Sequence, residues 1–196
     1  MKHVRDIVVI GASLGGVTAI AKIALGWPAY LPATVLVALS MPDQPPAVVL
    51  QIIDSYAPVR VAFATEGEAI KLRHIYLSPP NKHLVVGTGG MLRLDSGNAF
   101  DSTRPSVNRL FASAAAVYGP RVIAIVLSGN TPDGAQGMLD VEKAGGVGIV
   151  QAPEDAVDPT MPRSTIQNDH PRYCVQASQI AGLVQRLMTQ EDPSSA

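Results

Sequence analysis

The sequence has a single cysteine, almost no net charge and no long hydrophobic run. One cysteine excludes an internal disulfide, and the position of Cys174 between Tyr173 and Val175 predicts a buried strand residue rather than a nucleophile. Fifteen basic and 16 acidic residues give a net charge of −1, which offers no electrostatic basis for binding nucleic acid or an anionic membrane. Partners must therefore be recognised by shape and local chemistry.

The longest apolar runs, such as residues 34–39 and 121–127, have the length of strands and are too short to cross a bilayer. The N-terminus, Met1 to Asp6, lacks the apolar region of a signal peptide, so we expect a cytoplasmic protein without direct membrane insertion. A chain of 196 residues, 47% of them hydrophobic, is long enough to bury one core. We predict one domain over residues 1–188 and a disordered polar tail over 189–196.

Short apolar runs alternate with segments of helical periodicity, which predicts an α/β fold with a doubly wound, mainly parallel sheet. Two of the apolar runs flank Gly87-Thr88-Gly89-Gly90 and predict an antiparallel hairpin added to the sheet. The strands are predicted at 7–10, 34–39, 59–63, 75–77, 82–86, 91–94, 122–127, 147–150 and 173–175. The helices are predicted at 15–25, 47–55, from Pro105 in the first turn to Gly119, at 135–144 and at 177–188.

The turn after the first strand, Gly11-Ala12-Ser13-Leu14-Gly15-Gly16, is the most informative motif. Its Gly-x-Ser-x-Gly spacing puts a hydroxyl at a helix N-terminus, where backbone N–H groups can stabilise an oxyanion. Glycines at such turns are also common packing devices, so catalysis and packing both remain open. The turn lacks the spacing of a phosphate-binding loop, which makes a nucleotide-binding domain the weaker interpretation; a nucleotide titration would test it.

Two further turns follow strands that end at the same edge of the sheet, where ligands bind in such folds. One is Ser128-Gly129-Asn130-Thr131-Pro132-Asp133-Gly134, and an isolated Asp in this position is also typical of a helix cap. The other is Ser40-Met41-Pro42-Asp43.

Together these motifs resemble the catalytic domain of chemotaxis protein-glutamate methylesterases, the CheB-type enzymes. Gly-Ala-Ser-x-Gly-Gly is the family's nucleophile loop. Further matches follow in the family's order over nearly the whole chain: Ile75-Tyr76-Leu77-Ser78-Pro79-Pro80 with Lys82-His83-Leu84, Arg104-Pro105-Ser106-Val107, Asp133-Gly134-Ala135-x-Gly137-Met138, Ala144-Gly145-Gly146 and Met161-Pro162-Arg163.

The resemblance implies a parallel α/β sheet with a hairpin beside the active site and a Ser-His-Asp triad. The implied activity is hydrolysis of glutamate methyl esters, on the cytoplasmic domains of methyl-accepting chemoreceptors, to glutamate and methanol. We expect no cofactor and no metal ion. Position by position, Ser13 matches the nucleophile and Asp133 matches the carboxylate that orients the histidine.

The triad histidine has no match, because the family's His-Met-Pro is Ser40-Met41-Pro42 in this chain. A hydroxyl is too weak a base to accept the proton of Ser13 at neutral pH. In a serine protease, loss of the triad histidine lowers kcat by a factor on the order of 10⁶, roughly 8 kcal/mol of barrier. This departure predicts slow or absent turnover.

The loops that would form the oxyanion site contain Leu14 and Gly15 on one side and Asn130 and Thr131 on the other. The family has Gly-Met-Gly where this chain has Gly129-Asn130-Thr131, followed by Pro132. Threonine and proline remove the backbone freedom of glycine, and Pro132 has no N–H to donate. The resemblance therefore leaves the shape of the oxyanion site open.

Two residues are candidate substitutes for the missing base. His83 follows a strand end on the side where chemistry is expected, although it matches a histidine that the family carries in addition to its triad. Asp43 lies close in sequence to the vacant position, and a role in loop structure is the competing interpretation. The other histidines, at positions 3, 74 and 170, precede strands and belong to the opposite edge of the sheet.

Two function classes remain open beside the weaker nucleotide-binding one. The first is an esterase that forms an acyl-enzyme at Ser13 with a weak, relocated or solvent-supplied base. The second is a receptor-binding or scaffold domain that keeps the fold and has lost the reaction. Such esterases usually carry an N-terminal receiver domain, and only Met1 to Asp6 precede the first strand. We therefore expect control by expression, by a partner or by binding.

Overall fold

A computed structural model describes residues 4–40, 44–97, 103–169 and 171–189, and the structural statements below concern these residues. The strands are β1 Ile7–Ala12, β2 Thr34–Leu39, β3 Arg60–Phe63, β4 His74–Leu77, β5 His83–Gly87, β6 Met91–Asp95, β7 Val122–Val126, β8 Val147–Gln151 and β9 Tyr173–Val175. They form a seven-stranded parallel sheet in the order β3-β4-β2-β1-β7-β8-β9 and a separate antiparallel pair, β5-β6. The helices are α1 Gly16–Leu25, α2 Pro46–Tyr56, α3 Val107–Tyr118, α4 Ala135–Lys143, α5 Thr160–Asp169 and α6 Ala177–Thr189. The predicted α/β fold class is confirmed.

The sheet is buried on both faces, which explains why its central strands are apolar throughout. Side chains alternate between the faces: Val8 and Ile10 pack with α1, α2 and α6, whereas Ile7 and Val9 pack with α3, α4 and the hairpin. The strand order reverses at β1, which has β2 on one side and β7 on the other. In such sheets the crevice above this reversal, at the carboxyl ends of the strands, is the usual ligand site.

The hairpin β5-β6 differs from the prediction in one respect, since it forms its own sheet instead of extending the main one. The preceding strand β4 has β3 and β2 on its two sides, so it offers no free edge for pairing. Instead, Leu84, Val86 and Leu92 of the hairpin pack into the core on the α3 face. The hairpin therefore covers one face of the sheet.

Four smaller features also differ from the sequence-based expectations. Helix α5 was not predicted, and Cys174, predicted to be buried, is exposed on the edge strand β9. Loss of some solvent around the sulfur, and then the nearby carboxylate of Glu154, raise the pKa of the Cys174 thiol. Pro105 lies outside α3, whose N-cap is Ser106. Thr189, the first residue of the predicted disordered tail, is instead the last residue of α6, and residues 190–196 lie outside the described residues. None of the described helices is long and apolar enough to cross a membrane.

Candidate active site

The turn after β1 holds Ser13 at the carboxyl edge of the sheet. The backbone N–H of Ser13 donates to the carbonyl oxygen of Ser128 at 3.0 Å, which ties this turn to the one after β7. The next backbone bond, from Gly16 N–H to the Ser13 carbonyl at 2.8 Å, starts α1. Gly15 has φ 81°, and a Cβ there would lie 2.5 Å from Cβ of Val157. Glycine is required at this position for both its conformation and its space.

The hydroxyl of Ser13 faces two acceptors and is almost inaccessible to solvent. Its Oγ lies 3.0 Å from the backbone carbonyl oxygen of Ser40 and 2.9 Å from Oδ1 of Asn130. Because a hydroxyl has one proton, the two acceptors share it or take it in turn. Ser13 is only 4% exposed. Amide oxygens accept hydrogen bonds but are not bases at neutral pH, so neither partner activates the hydroxyl.

Ser40 directly follows β2 and is held as a continuation of the sheet. Its N–H donates to the carbonyl oxygen of Ala12 at 3.1 Å, so its backbone runs beside the end of β1. Ser40 also lines a cleft of about 290 Å³ between the carboxyl ends of β2, β3 and β4. The contact between Ser40 and Ser13 is made by the backbone carbonyl. Asp43, the candidate base in the same turn, lies outside the described residues.

The carboxylate of Asp133 is buried against the start of α3. Oδ2 accepts the backbone N–H of Val107 at 2.6 Å and the hydroxyl of Thr103 at 3.3 Å. Oδ1 accepts the N–H of Asn108 at 3.0 Å and the hydroxyl of Ser106 at 3.3 Å. Asp133 thus supplies acceptors for N–H groups that have no partner within the helix. The carboxylate holds the first turn of α3.

Asn108 makes the reciprocal connection from α3 to α4. Its Oδ1 accepts the backbone N–H groups of Gly134 at 3.0 Å and Gly137 at 2.7 Å, in the first turn of α4. The starts of the two helices therefore hold each other through one carboxylate and one amide. Sequence reasoning missed Asn108, because nothing in the local pattern indicates a partner 26 residues away.

His83 is fully buried at the first position of β5. Its Nδ1 accepts the backbone N–H of Ser106 at 3.0 Å, so the ring proton must lie on Nε2. The ring nitrogen that faces Ser106 is already in use as an acceptor, and the described hydrogen bonds of Ser13 do not include His83. His74 begins β4, paired with Thr34 at the start of β2, on the edge opposite Ser13.

The loop residues predicted to form the oxyanion site lie on both sides of Ser13. Leu14 is 46% exposed, and its carbonyl oxygen accepts the hydroxyl of Ser128 at 2.6 Å. Oγ1 of the half-buried Thr131 accepts the N–H of Asp133 at 3.4 Å, within the same loop. Asn130 is exposed and reaches Ser13 as described above. The structure thus brings Ser13, Ser40 and Asn130 together, whereas Asp133 and His83 are bonded to the start of α3.

A second set of residues fixes the turn after β7, and sequence reasoning missed its role. The N–H of Ser128 donates to Oε1 of Gln151 at 2.9 Å, and Nε2 of Gln151 donates to Asp155 at 2.8 Å. Asp158 donates its N–H to Oγ of Ser128 at 2.9 Å. Hydrogen bonds from the side chain and the N–H of Thr160 hold the pKa of Asp158 below its ordinary value. These bonds connect the turn after β7 with β8 and with the start of α5.

A serine in a tight strand-to-helix turn, at the reversal point of a parallel sheet, defines the general class of α/β proteins with a hydrolase-type nucleophile turn. The particular family follows from the family model for CheB methylesterase, which matches residues 8–184. The chain belongs to the CheB methylesterase family.

Known proteins similar to the chain agree with this assignment. It is 37% identical over 172 residues to a protein-glutamate methylesterase/protein-glutamine glutaminase 2 of Methanosarcina acetivorans, covering 84% of this chain and 48% of that protein. It is 30% identical over 182 residues to a putative protein-glutamate methylesterase/protein-glutamine glutaminase of Leptospira interrogans, covering 93% and 94%. The CheB methylesterase catalytic domain of Thermotoga maritima is similar in structure, with a TM-score of 0.87, 30% identity and coverage of 93% and 98%. The chain thus spans about half of the Methanosarcina relative.

Proposed function

We propose that this chain is a catalytically impaired member of its family, which binds the cytoplasmic domain of a chemoreceptor without hydrolysing glutamate methyl esters at a physiological rate. The observation that carries the proposal is the environment of Ser13. Its hydroxyl donates to a backbone carbonyl and an amide oxygen, and the position of the family's histidine is Ser40. A serine without a base is a poor nucleophile, because its proton has no acceptor as the ester is attacked.

The ionisable side chains near these strands, among the described residues, do not change this expectation. Nδ1 of His83 accepts a backbone N–H, and His74 begins a strand on the other edge of the sheet. Asp133 is engaged by four donors at the start of α3, which gives the carboxylate a structural role without a histidine to orient. We therefore expect methanol release slower than that of an intact triad by a factor on the order of 10⁶.

The competing function is an active esterase that works with a weak, relocated or solvent-supplied base. The nucleophile turn favours it, since Ser13 still precedes a helix N-terminus at the carboxyl edge of the sheet. The change Ser40→His separates the two functions. If the remaining site is competent, the variant gains methanol release, and the native chain then lacks only its base. If the native chain already has a base, Ser40→His adds little.

Receptor binding is tested with two exposed leucines at opposite ends of α1. Leu14 precedes the helix beside Ser13, and Leu25 is its last residue at the other edge of the sheet. A helix of ten residues is about 15 Å long, so the two sites are well separated. We expect Leu14→Glu to weaken binding of a chemoreceptor cytoplasmic fragment, measured by titration, and Leu25→Glu to leave it unchanged.

Both variants keep the core, because the changed side chains face solvent. Binding of the fragment by the native chain without methanol release supports the proposal. No binding at any accessible concentration, or equal binding by both glutamate variants, contradicts the proposed surface. Rapid methanol release that Ser13→Ala abolishes contradicts the loss of catalysis.

A further inference from the structure

Asn130 is the exposed side chain that lies against the buried hydroxyl of Ser13. The Oδ1 to Oγ distance is 2.9 Å, across 117 positions of sequence. Ser13 is 4% exposed although it occupies the carboxyl edge of the sheet, where ligands usually enter. An amide oxygen in this position accepts the hydroxyl proton.

The loop that carries Asn130 is fixed on both sides, so this contact is built into the fold. The N–H of Gly129 donates to the carbonyl of Asp158 at 3.0 Å, and the Gly129 carbonyl accepts the N–H of Met161 at 2.9 Å. A Cβ at Gly129 would lie 2.0 Å from Sδ of Met161 and 3.0 Å from Cβ of Ser13. The backbone therefore passes as close to Ser13 as glycine allows, and the following side chain is directed at the hydroxyl.

This contact opposes nucleophilic attack. A serine that attacks an ester must donate its proton to a base, and a hydroxyl held by Asn130 and the Ser40 carbonyl first has to leave these acceptors. A methionine, which the family pattern carries where this chain has Asn130, offers only a weakly accepting sulfur. The replacement of the family's triad histidine by Ser40 and the presence of the Asn130 amide thus both affect the hydroxyl proton of Ser13.

We propose that Asn130 is a positioning residue that, with the Ser40 carbonyl, holds the Ser13 hydroxyl as a hydrogen-bond donor and covers it from solvent. The inference extends the proposed function: the site departs from catalysis at two positions, and restoring the base alone leaves the hydroxyl held. Removing a neutral hydrogen bond of this kind changes an equilibrium by about two- to tenfold. That is the gain expected when Asn130 is removed beside a restored base.

The test uses the full chain in the Ser40→His background. A fluorophosphonate reagent reports on the hydroxyl: an Oγ–P bond forms at Ser13, the P–F bond breaks, fluoride leaves and the serine proton passes to the introduced imidazole. The maximal labelling rate and the half-saturating reagent concentration are compared for Ser40→His alone and for its combinations with Asn130→Ala and Asn130→Met. The matched control is Asn168→Ala, whose exposed amide donates to Ser164 in its own helix.

We expect both Asn130 variants to raise the maximal rate about two- to tenfold over Ser40→His, with an unchanged half-saturating concentration. Asn168→Ala leaves both quantities unchanged. The proposal is overturned if Ser40→His and both combined variants have equal maximal labelling rates. It is also overturned if the Asn130 changes affect only the half-saturating reagent concentration, or if no variant is labelled. Thermal unfolding identifies a misfolded variant, and the remaining Asn130 variant then decides.

This comparison is independent of whether the native chain binds a receptor, since it measures only the reactivity of Ser13. Failure of receptor binding contradicts the proposed function and leaves the labelling result standing. Equal labelling contradicts the role of Asn130 and leaves receptor binding standing.

Discussion

Replacing Asp133 with alanine removes the acceptors that hold the start of α3. Two backbone N–H groups, of Val107 and Asn108, and the hydroxyls of Thr103 and Ser106 lose their carboxylate partner. A buried donor without a partner costs about 1–3 kcal/mol, and loss of a helix cap costs about 1 kcal/mol. The hydroxyls can rotate to other acceptors, so the two N–H groups dominate. We expect Asp133→Ala to lower the free energy of unfolding by about 2–4 kcal/mol.

Urea unfolding followed by the fluorescence of the buried Trp27 measures this change. The matched control is Asp140→Ala in α4, where the carboxylate accepts a hydrogen bond from the side chain of Gln136 at 3.2 Å on the protein surface. We expect this control to change the unfolding free energy by less than about 0.5 kcal/mol. If Asp133→Ala is as stable as the control, the carboxylate does not hold the start of α3. The structural role that we assign to Asp133, in place of orienting a triad histidine, is then refuted.

Three further changes test the packing and the charges around the site. Asn108→Ala leaves the N–H groups of Gly134 and Gly137 without their acceptor and lowers the unfolding free energy by about 1–3 kcal/mol in the same urea assay; no change contradicts the reciprocal connection. Gly137→Ala gains about 1 kcal/mol in helix propensity, but the added Cβ would lie 2.7 Å from Cβ of Phe111, so we expect a net loss of stability. A higher urea midpoint for this variant would refute the close approach of Gly137 to Phe111. Two groups of β6, a backbone N–H and an arginine side chain, donate hydrogen bonds to the Glu66 carboxylate and hold its pKa below the ordinary value, the backbone bond having the larger effect. The carboxylate therefore contributes to stability near neutral pH, and this contribution is lost as the pH falls through the folded-state pKa. Glu66→Gln therefore weakens the pH dependence of stability in the acid range, and an unchanged pH profile contradicts this contribution.

Much of the fold follows from local sequence patterns. The apolar run from Ile7 to Ile10 predicts a strand that is buried on both faces. Two residues after Ser13, the turn requires a positive φ, which explains the glycine at position 15. Helix α5 was missed because its sequence is polar and has Pro162 near its start. The hairpin was placed in the main sheet because sequence does not reveal that both edges of β4 are taken.

The candidate site could be predicted only in part. Ser13, Ser40 and Asp133 were chosen from their turns and from the family's motifs. The contact between Ser13 and Asn130 joins positions 117 residues apart, and the four donors of Asp133 come from a different strand-to-helix connection. Such partners depend on how β1, β7 and α3 meet in space. Local patterns therefore identified the residues but could not determine their hydrogen bonds.

The most direct test of the central claim is methanol release from a methylated chemoreceptor fragment, measured for the native chain and for Ser13→Ala. We expect both to release methanol at the same slow background rate, because the hydrogen bonds of the Ser13 hydroxyl among the described residues go to Ser40 and Asn130, and neither acceptor is a base. Release by the native chain at the rate of an intact triad, abolished by Ser13→Ala, would contradict it.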